Sequence, residues 1–333
     1  MAKMGTKTDF ESTLSAVLVR TFGKEARLAG LKRLSGGASQ ETWAMQSADK
    51  TRILRRAPGG VSGARSSAAI GLATEARLIE AAYAAGVPVP RIERILCERD
   101  GLGEGFIMQY MDGETIARKI LRNPEFASAR TQMARQCGAA LAQIHAIDST
   151  DLPALPRQDG LAQIAQYEEI FRSFGVYRPV FELALQWLKA KAPPPLPQCL
   201  IHGDFRLGNL LVTSDGLAAI FDWELAHLGD PREDIAWACI NSWRFGIPDK
   251  RVGGFGDLTP LLEAYALAGG VSISPEEIDW WEMLGSLKWG IMCMLMYQAF
   301  RSGADPSVER AAIGRRVSET EIDLLNLLEA AHA

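Results

Sequence analysis

One stretch constrains this chain more than any other: Leu200 to Val212, which reads LIHGDFRLGNLLV. Within it His202, Asp204 and Asn209 stand at the spacing H-x-D-x-x-x-x-N. Further on, AIFDWE places Asp222 after a second apolar run. Apolar runs on both sides read as strands, and the polar residues between them as a turn. The layout is therefore strand, polar turn, strand, acidic residue.

That layout matches a kinase catalytic loop followed by its metal-binding aspartate. Phosphoryl transfer asks little covalent work of a protein. It asks for positioning, and for positive charge around the moving group. Asp204 suits the acceptor side, where a carboxylate accepts a hydrogen bond from a hydroxyl, orients it and takes its proton late. Asn209 offers a carbonyl oxygen and Asp222 a carboxylate, both hard ligands suited to Mg2+. Arg206, two residues after Asp204, can lean over the γ-phosphate as a fixed cation. His202 is expected to brace the loop through backbone hydrogen bonds. A lone HGD is common, and an Asp after an apolar strand often only caps a turn. In this order and at this spacing the pieces become specific.

A length of 333 residues allows one large domain or two modest ones, and 47% hydrophobic residues allow a sizeable core. The net charge of −4, with no long basic run, argues against nucleic acid or an anionic membrane as partner. The start MAKMGTKTDF has no apolar core of the signal-peptide kind, and the longest apolar run, Trp289 to Tyr297, is too short to span a bilayer. The five cysteines, Cys97, Cys137, Cys199, Cys239 and Cys293, form no C-x-x-C pair. They predict buried, reduced thiols in a cytoplasmic protein, not disulfides or zinc.

In chain order, Asp9 to Phe22 predicts an amphipathic helix. Leu31 onward predicts a strand, a Gly/Ser turn over Ser35, Gly36, Gly37, Ala38 and Ser39, and a second strand through Thr42 to Met45. Such a turn can lay backbone N–H groups over phosphates, and it equally suits an ordinary hairpin. Thr51 to Arg56 is a third strand, with Ile53 and Arg55 on one face. Pro58 to Ser66 is a Gly/Ser loop, Ala68 to Ala85 a helix, and VPVPRIERIL and GFIMQYMDG two more strands. From Glu114 the pattern turns helical, with Glu125 to His145, Asp159 to Ser173, Pro179 to Lys191, Pro275 to Ser302 and Ser318 to Ala331. His145 reads as structural, and Met292, Met294 and Met296 as core. Asp230, Pro231 and Glu233 predict a capping box, and Asp234 a bond back to the catalytic loop.

HGDFRLGNLL followed by FDWELAHLGDPREDIAW resembles the aminoglycoside phosphotransferase family of small-molecule kinases. It most resembles the branch whose kinase-like domain is also found joined to acyl-CoA dehydrogenases. The resemblance runs from about Leu34 to Leu328. It implies an α+β, protein-kinase-like, two-lobed fold. A small N-terminal lobe with an antiparallel sheet, residues 1–111, would bind the nucleotide. A larger, mostly helical lobe, residues 112–333, would carry the catalytic loop and the acceptor site. ATP and Mg2+ are the implied cofactors, and the hydroxyl of a small molecule the implied acceptor, on a monomer or homodimer.

By the same resemblance Arg55 holds phosphate, where lysine is the commoner residue, and Ile53 lines the adenine pocket. Arg56 is the alternative phosphate residue. Glu75 pairs with the basic residue or is a solvated surface glutamate. The backbone of Gln109 and Met111 would bond the adenine edge. Glu224 faces the metal or the substrate, or holds the turn. Trp243 and Arg244, in the aromatic and Arg-rich loop Asn241 to Gly256, are candidate acceptor contacts. Two other readings stand beside the kinase: a non-catalytic nucleotide-binding module, and a metal-dependent hydrolase using His202, Asp204 and Asp222. The second needs more ligands than four histidines readily provide.

Overall fold

Alternation along five short strands builds the N-terminal part of the chain. The computed structural model describes residues 7–34, 40–60 and 69–332. The chain divides into two compact units, the first comprising Met1–Gly113, Thr150–Leu155 and Ala218–Ala226. In that unit β1 (Leu28–Leu34), β2 (Glu41–Ser47), β3 (Thr51–Arg56), β4 (Ile92–Ile95) and β5 (Gly105–Gln109) form an antiparallel sheet in the order β1-β2-β3-β5-β4. Helix α1 (Lys7–Phe22) covers one face: Leu14, Val17 and Leu18 pack with Met45, Leu54, Leu96, Leu102 and Ile107.

The period of two decides what β3 shows to each side. Arg52 lies over the Phe22 ring at 4.3 Å and Arg56 over the Phe10 ring at 3.9 Å, both rings on α1. Arg52, Leu54 and Arg56 therefore share the α1 face, and Ile53 and Arg55 take the opposite one. Helix α2 (Leu72–Ala84) packs against β4 and β5 and buries Glu75 among Leu72, Ala76, Leu78, Ile79 and Ala82.

The second unit, Glu114–Ser149, Pro156–Leu217 and His227–Ala333, is mostly helical. Its first helices are α3 (Ala117–Arg122), α4 (Ala127–His145), α5 (Gly160–Ser173) and α6 (Pro179–Ala190). Then come β6 (Cys199–Ile201), β7 (Leu210–Thr213), β8 (Gly216–Ile220), which leads the chain back into the first unit, and β9 (His227–Gly229). Strands β6 and β9 pair antiparallel, with Leu200 opposite Leu228. The closing helices are α7 (Arg232–Cys239), α8 (Leu258–Leu267), α9 (Pro275–Ser302), α10 (Val308–Gly314) and α11 (Val317–Ala330). Helix α9 is the axis, packing against α5, α6, α7, α10 and α11. A capping box starts it: Ser274 Oγ accepts from Glu277 N at 3.4 Å, and Glu277 Oε2 from Ser274 N at 2.9 Å. Helices α4 and α8 meet at Gly138, where a Cβ would stand 2.2 Å from the Leu261 carbonyl oxygen. Only glycine permits that approach.

Several expectations need correcting. The fourth strand is only Ile92–Ile95, and the α2 helix begins at Leu72. The helices at Leu258–Leu267 and Val308–Gly314 were not foreseen. All five cysteines are free, but Cys97 is exposed and Cys199 only half-buried, against the expected burial. Met292 and Met296 are half-buried, and only Met294 is core. Ser35, Gly36, Gly37, Ala38 and Ser39 lie outside the described residues, as does most of the loop from Pro58 to Ser66. Among the described residues no helix is long and apolar enough to cross a membrane.

Candidate active site

In the first unit the site is organised by Arg55. Its position on β3 turns it away from α1, and its Nη2 stands 3.4 Å from Glu75 Oε1. The same nitrogen donates to Asp222 Oδ1, and Nε donates to Gln40 Oε1. Gln40 Nε2 in turn donates to Glu224 Oε2 at 3.0 Å. Burial works against the Arg55 charge, but Glu75, Asp222 and Glu224 outweigh it and hold the guanidinium well above its usual range. Arg56 points the other way, to Glu41 Oε2 at 2.8 Å and the Leu102 carbonyl at 3.3 Å. The strand therefore presents Arg55, and not Arg56, to the acidic group. Asp222 has a φ of 67°, in the left-handed region that a side chain adopts at a cost. Its side chain is 30% exposed, so a carboxylate is offered to solvent from a strained turn.

In the second unit the chain between β6 and β7 is held by Asp234 of α7. Asp234 Oδ2 accepts from His202 N at 2.7 Å, and Oδ1 from Gly203 N at 2.9 Å. His145 Nε2 reaches Oδ2 at 3.3 Å, with its Nδ1 2.9 Å from the Tyr265 hydroxyl. Burial would raise the Asp234 carboxyl, yet hydrogen bonding and charge from His145 and His202 keep it below the ordinary carboxylate range. Gly203 takes a φ of 84°, which lets the loop turn under Asp234. His202 is fully buried, and its Nδ1 accepts from Asp204 N at 3.2 Å. His145 and His202 are thus braces.

The Asp204 carboxylate is held on both oxygens. Oδ1 accepts from Trp237 Nε1 at 2.7 Å and from Arg206 Nε at 3.0 Å. Oδ2 accepts from Asn209 Nδ2 at 2.7 Å. Asn209 Nδ2 also donates to the Asp204 carbonyl at 2.9 Å, so the amide's oxygen is the atom left for a cation. Arg206 Cζ stands 4.8 Å over the Trp243 ring.

Mg2+ can be tested against these donors. Among the described residues no three or more His, Cys, Asp or Glu side chains form a metal-holding group. An amide oxygen from Asn209 and a carboxylate from Asp222 are hard donors. Each, in its own unit, is a donor of the kind Mg2+ takes beside water and substrate phosphates.

The remaining candidates are placed as follows. Ile53 is buried, opposite Met108 of β5 and Ala44 of β2. Gln109 ends β5 and is exposed, and Met111 is half-buried. Trp243 is buried, 5.6 Å from the Trp237 ring and 4.7 Å from the Trp289 ring. Arg244 is turned inward. It donates to the carbonyls of Cys239 at 2.9 Å and Pro248 at 3.0 Å, and to buried Glu282 Oε1 at 2.6 Å. Its guanidinium binds the fold together, a different task from the acceptor contact expected of it.

Glu233 does not complete a capping box. Asp230 Oδ1 does accept from Arg232 N at 3.0 Å at the head of α7. The Glu233 carboxylate instead meets His227 Nε2 at 3.0 Å, Gln163 Nε2 at 2.6 Å and Lys288 Nζ at 3.2 Å, all within the protein. The buried Lys288 ammonium and the His227 and Gln163 side chains compete for it more strongly than the α7 backbone does. Trp237 and Lys288 were not singled out from the sequence. The one available signal was Trp237, three residues after Asp234 and so on a neighbouring face of α7.

Comparison with known proteins agrees with this geometry. A family model described as the phosphotransferase enzyme family, APH, matches residues 30–268. Acyl-CoA dehydrogenase family member 10 of Mus musculus is 30% identical over 218 residues, which cover 63% of this chain and 20% of that protein. The chain therefore spans about a fifth of that relative's length. A choline/ethanolamine kinase family protein from Mesorhizobium loti superposes with a TM-score of 0.67 at 19% identity, covering 96% of this chain and 95% of that one. A thermostable mutant of aminoglycoside phosphotransferase APH(4)-Ia, solved with AMP-PNP and hygromycin B, gives 0.61 at 17% identity, covering 96% and 98%. At these identities the structures speak to the fold, which is the kinase-like fold of those enzymes. With the family match reaching from β1 to the end of α8, this chain belongs to the APH phosphotransferase enzyme family.

Proposed function

We propose that this chain is an ATP- and Mg2+-dependent phosphotransferase that moves the γ-phosphate of ATP to a hydroxyl of a small molecule. The observation that carries the reading is the Asp204 carboxylate, held by Asn209, Trp237 and Arg206 with its side chain still 14% exposed. Asp204 accepts the hydrogen bond of the acceptor hydroxyl and aims its oxygen at the γ-phosphorus. It takes the proton as the new P–O bond forms, and ADP leaves with the electrons of the bond that breaks. Arg55, steadied by Glu75, holds the α- and β-phosphates, and Arg206 steadies the γ-phosphate. Ser35, Gly36, Gly37, Ala38 and Ser39, outside the described residues, are the proposed phosphate-binding turn. Ile53 and the backbone of Gln109 and Met111 receive the adenine. Asn209 and Asp222 would hold Mg2+, which would supply positive charge to neutralise the phosphate oxygens.

Around Asp204 the second unit offers Arg206, Trp237, Trp243 and Lys288, an aromatic and cationic surrounding. That favours a neutral or anionic metabolite over a polycationic antibiotic. A hydroxyacyl thioester is a fitting class, given the dehydrogenase-linked relative. Glu224 acts through Gln40 on the Arg55 group. One observation favours a second reading, a non-catalytic nucleotide-binding module: Arg55 already bonds Asp222, the proposed metal carboxylate.

The test is transfer of labelled γ-phosphate from Mg-ATP into a pool of hydroxylated metabolites, comparing wild type with Asp204→Asn. Product from the wild type alone supports the kinase, and its mass gives the acceptor class. ATP binding with no product from either protein supports the second reading.

A further inference from the structure

Beside the catalytic loop lies a group of buried polar side chains that takes no direct part in the transfer step. The Trp237 indole donates to Asp204 Oδ1 at 2.7 Å. The Lys288 ammonium stands 5.2 Å from the centre of the same ring and 5.7 Å from that of Tyr167. Lys288 is bonded to Glu233 Oε1 at 3.2 Å, and Glu233 Oε2 is shared by His227 and Gln163. A cavity of about 10 Å³ among Gln163, Glu233, Trp237, Trp281 and Lys288 offers space for one water at most. Burial works against the Lys288 charge, but Tyr167, Glu233 and Asp204 hold the ammonium above its ordinary range. A buried ion pair of this kind is a poor way to gain stability, because apolar residues of the same shape do as well.

An aspartate carboxylate rotates easily about its last bond, where the torsional wells are broad. On Asp204 the plane is set by Asn209 at Oδ2, by Trp237 at Oδ1 and by Arg206, whose Nε reaches Oδ1 at 3.0 Å and Oδ2 at 3.2 Å. Arg206 is the movable member, with 26% of its side chain exposed, and the reaction asks it to serve the γ-phosphate. Once it does, the indole is the donor that keeps Oδ1 in place. We propose that Trp237 is a positioning residue for Asp204, and that the buried Lys288–Glu233 pair holds its indole in the donating orientation. This assignment rests on Asp204 being the acceptor-side carboxylate.

Two measurements test it. The first needs no turnover. In protein labelled with isotopic tryptophan, the Trp237 indole N–H signal is identified among eight by its loss in Trp237→Phe. It is expected to move in Asp204→Asn and, by a smaller amount, in the charge-neutral double variant Lys288→Met/Glu233→Gln. The second is phosphate transfer from Mg-ATP into the hydroxylated metabolite pool. Trp237→Phe keeps the ring and removes the donor, and roughly a hundredfold loss of turnover is expected, the scale of a misplaced catalytic group. AMP-PNP affinity should be unchanged, and Trp237→His, which restores a ring N–H, should recover part of the rate. An indole signal indifferent to Asp204→Asn, or wild-type turnover in Trp237→Phe, overturns the positioning role. Wild-type transfer in Asp204→Asn overturns instead the reading of Asp204 on which it rests.

Discussion

The two halves of the proposed machinery are built on different principles. The Arg55 group of the first unit is held by charge. One guanidinium faces Glu75, Asp222 and, through Gln40, Glu224, and Asp222 sits in a strained backbone conformation. The Asp204 loop of the second unit is held mostly by neutral donors, with Arg206 the charged donor on Asp204. Backbone N–H groups, an indole and an amide converge on Asp234 and Asp204 at 2.7–2.9 Å. A group with more carboxylates than cations is open to rearrangement when a metal and phosphates enter it. A loop with its backbone bonded into a buried carboxylate has little freedom left to lose. Under the proposed function, nucleotide binding would adapt in the first unit, while acceptor chemistry would be pre-organised in the second.

The largest effect expected is on the pre-organised side. Asp204→Asn should lower phosphate transfer roughly a thousandfold, the usual scale for removing a general base, with AMP-PNP affinity within about twofold. A loss of nucleotide binding of the same size would break the division drawn above. Next comes the brace. Asp234→Asn removes the charge that His202 N, Gly203 N and His145 address, and should cost about 3 kcal/mol in urea unfolding, as for other broken buried pairs. The pH dependence has a definite sign. The folded Asp234 carboxyl lies below its ordinary value, so the stability it contributes is complete above the ordinary carboxylate range and is lost as pH falls through the folded value. Wild type should therefore lose more stability on acidification than Asp234→Asn. Parallel curves for the two proteins would remove Asp234 from its role.

How much of this could be read from the chain follows from sequence distance. The places of Asp204, Asn209 and Asp222 after apolar runs were legible because they follow from short spacing along the chain. The choice between Arg55 and Arg56 was not, since it depends on which face of β3 meets the aromatic rings of α1. Trp237 lies 33 residues from Asp204, and the hydrogen bond between them exists only because α7 returns to the β6 end. Glu233 shows a local signal overruled. Three residues after Asp230 it fits a helix start worth about 1 kcal/mol. Lys288, 55 residues on, takes the carboxylate instead, because an unpaired ammonium buried there would cost several times that. Arg244 looked free in a polar loop, and its partner Glu282 lies 38 residues later on α9.

Arg244 gives the third prediction. Arg244→Ala leaves Glu282, whose carboxyl burial already raises, with Arg251 alone at 2.8 Å. Loss of one charged hydrogen bond there should cost about 2 kcal/mol in urea unfolding. The acceptor KM should stay where it is once an acceptor is known. A raised KM at unchanged stability would return Arg244 to the acceptor site.

The smallest effect sharpens the charge-held side. Lysine at position 55 keeps one cation but loses the planar fork with which Arg55 reaches Gln40, Glu75 and Asp222 together. Because that group is held by charge more than by geometry, a flexible ammonium can still meet both carboxylates and a phosphate. Arg55→Lys should weaken AMP-PNP binding by less than about tenfold, or roughly 1.4 kcal/mol. Arg56→Ala should leave that affinity alone and lower stability, since Arg56 belongs to Glu41, the Leu102 carbonyl and the Phe10 ring. If the two variants exchange behaviours, the phosphate residue is Arg56. If Arg55→Lys abolishes binding, the first unit is as strictly pre-organised as the second, and the contrast between them lies only in the kind of bond that holds each.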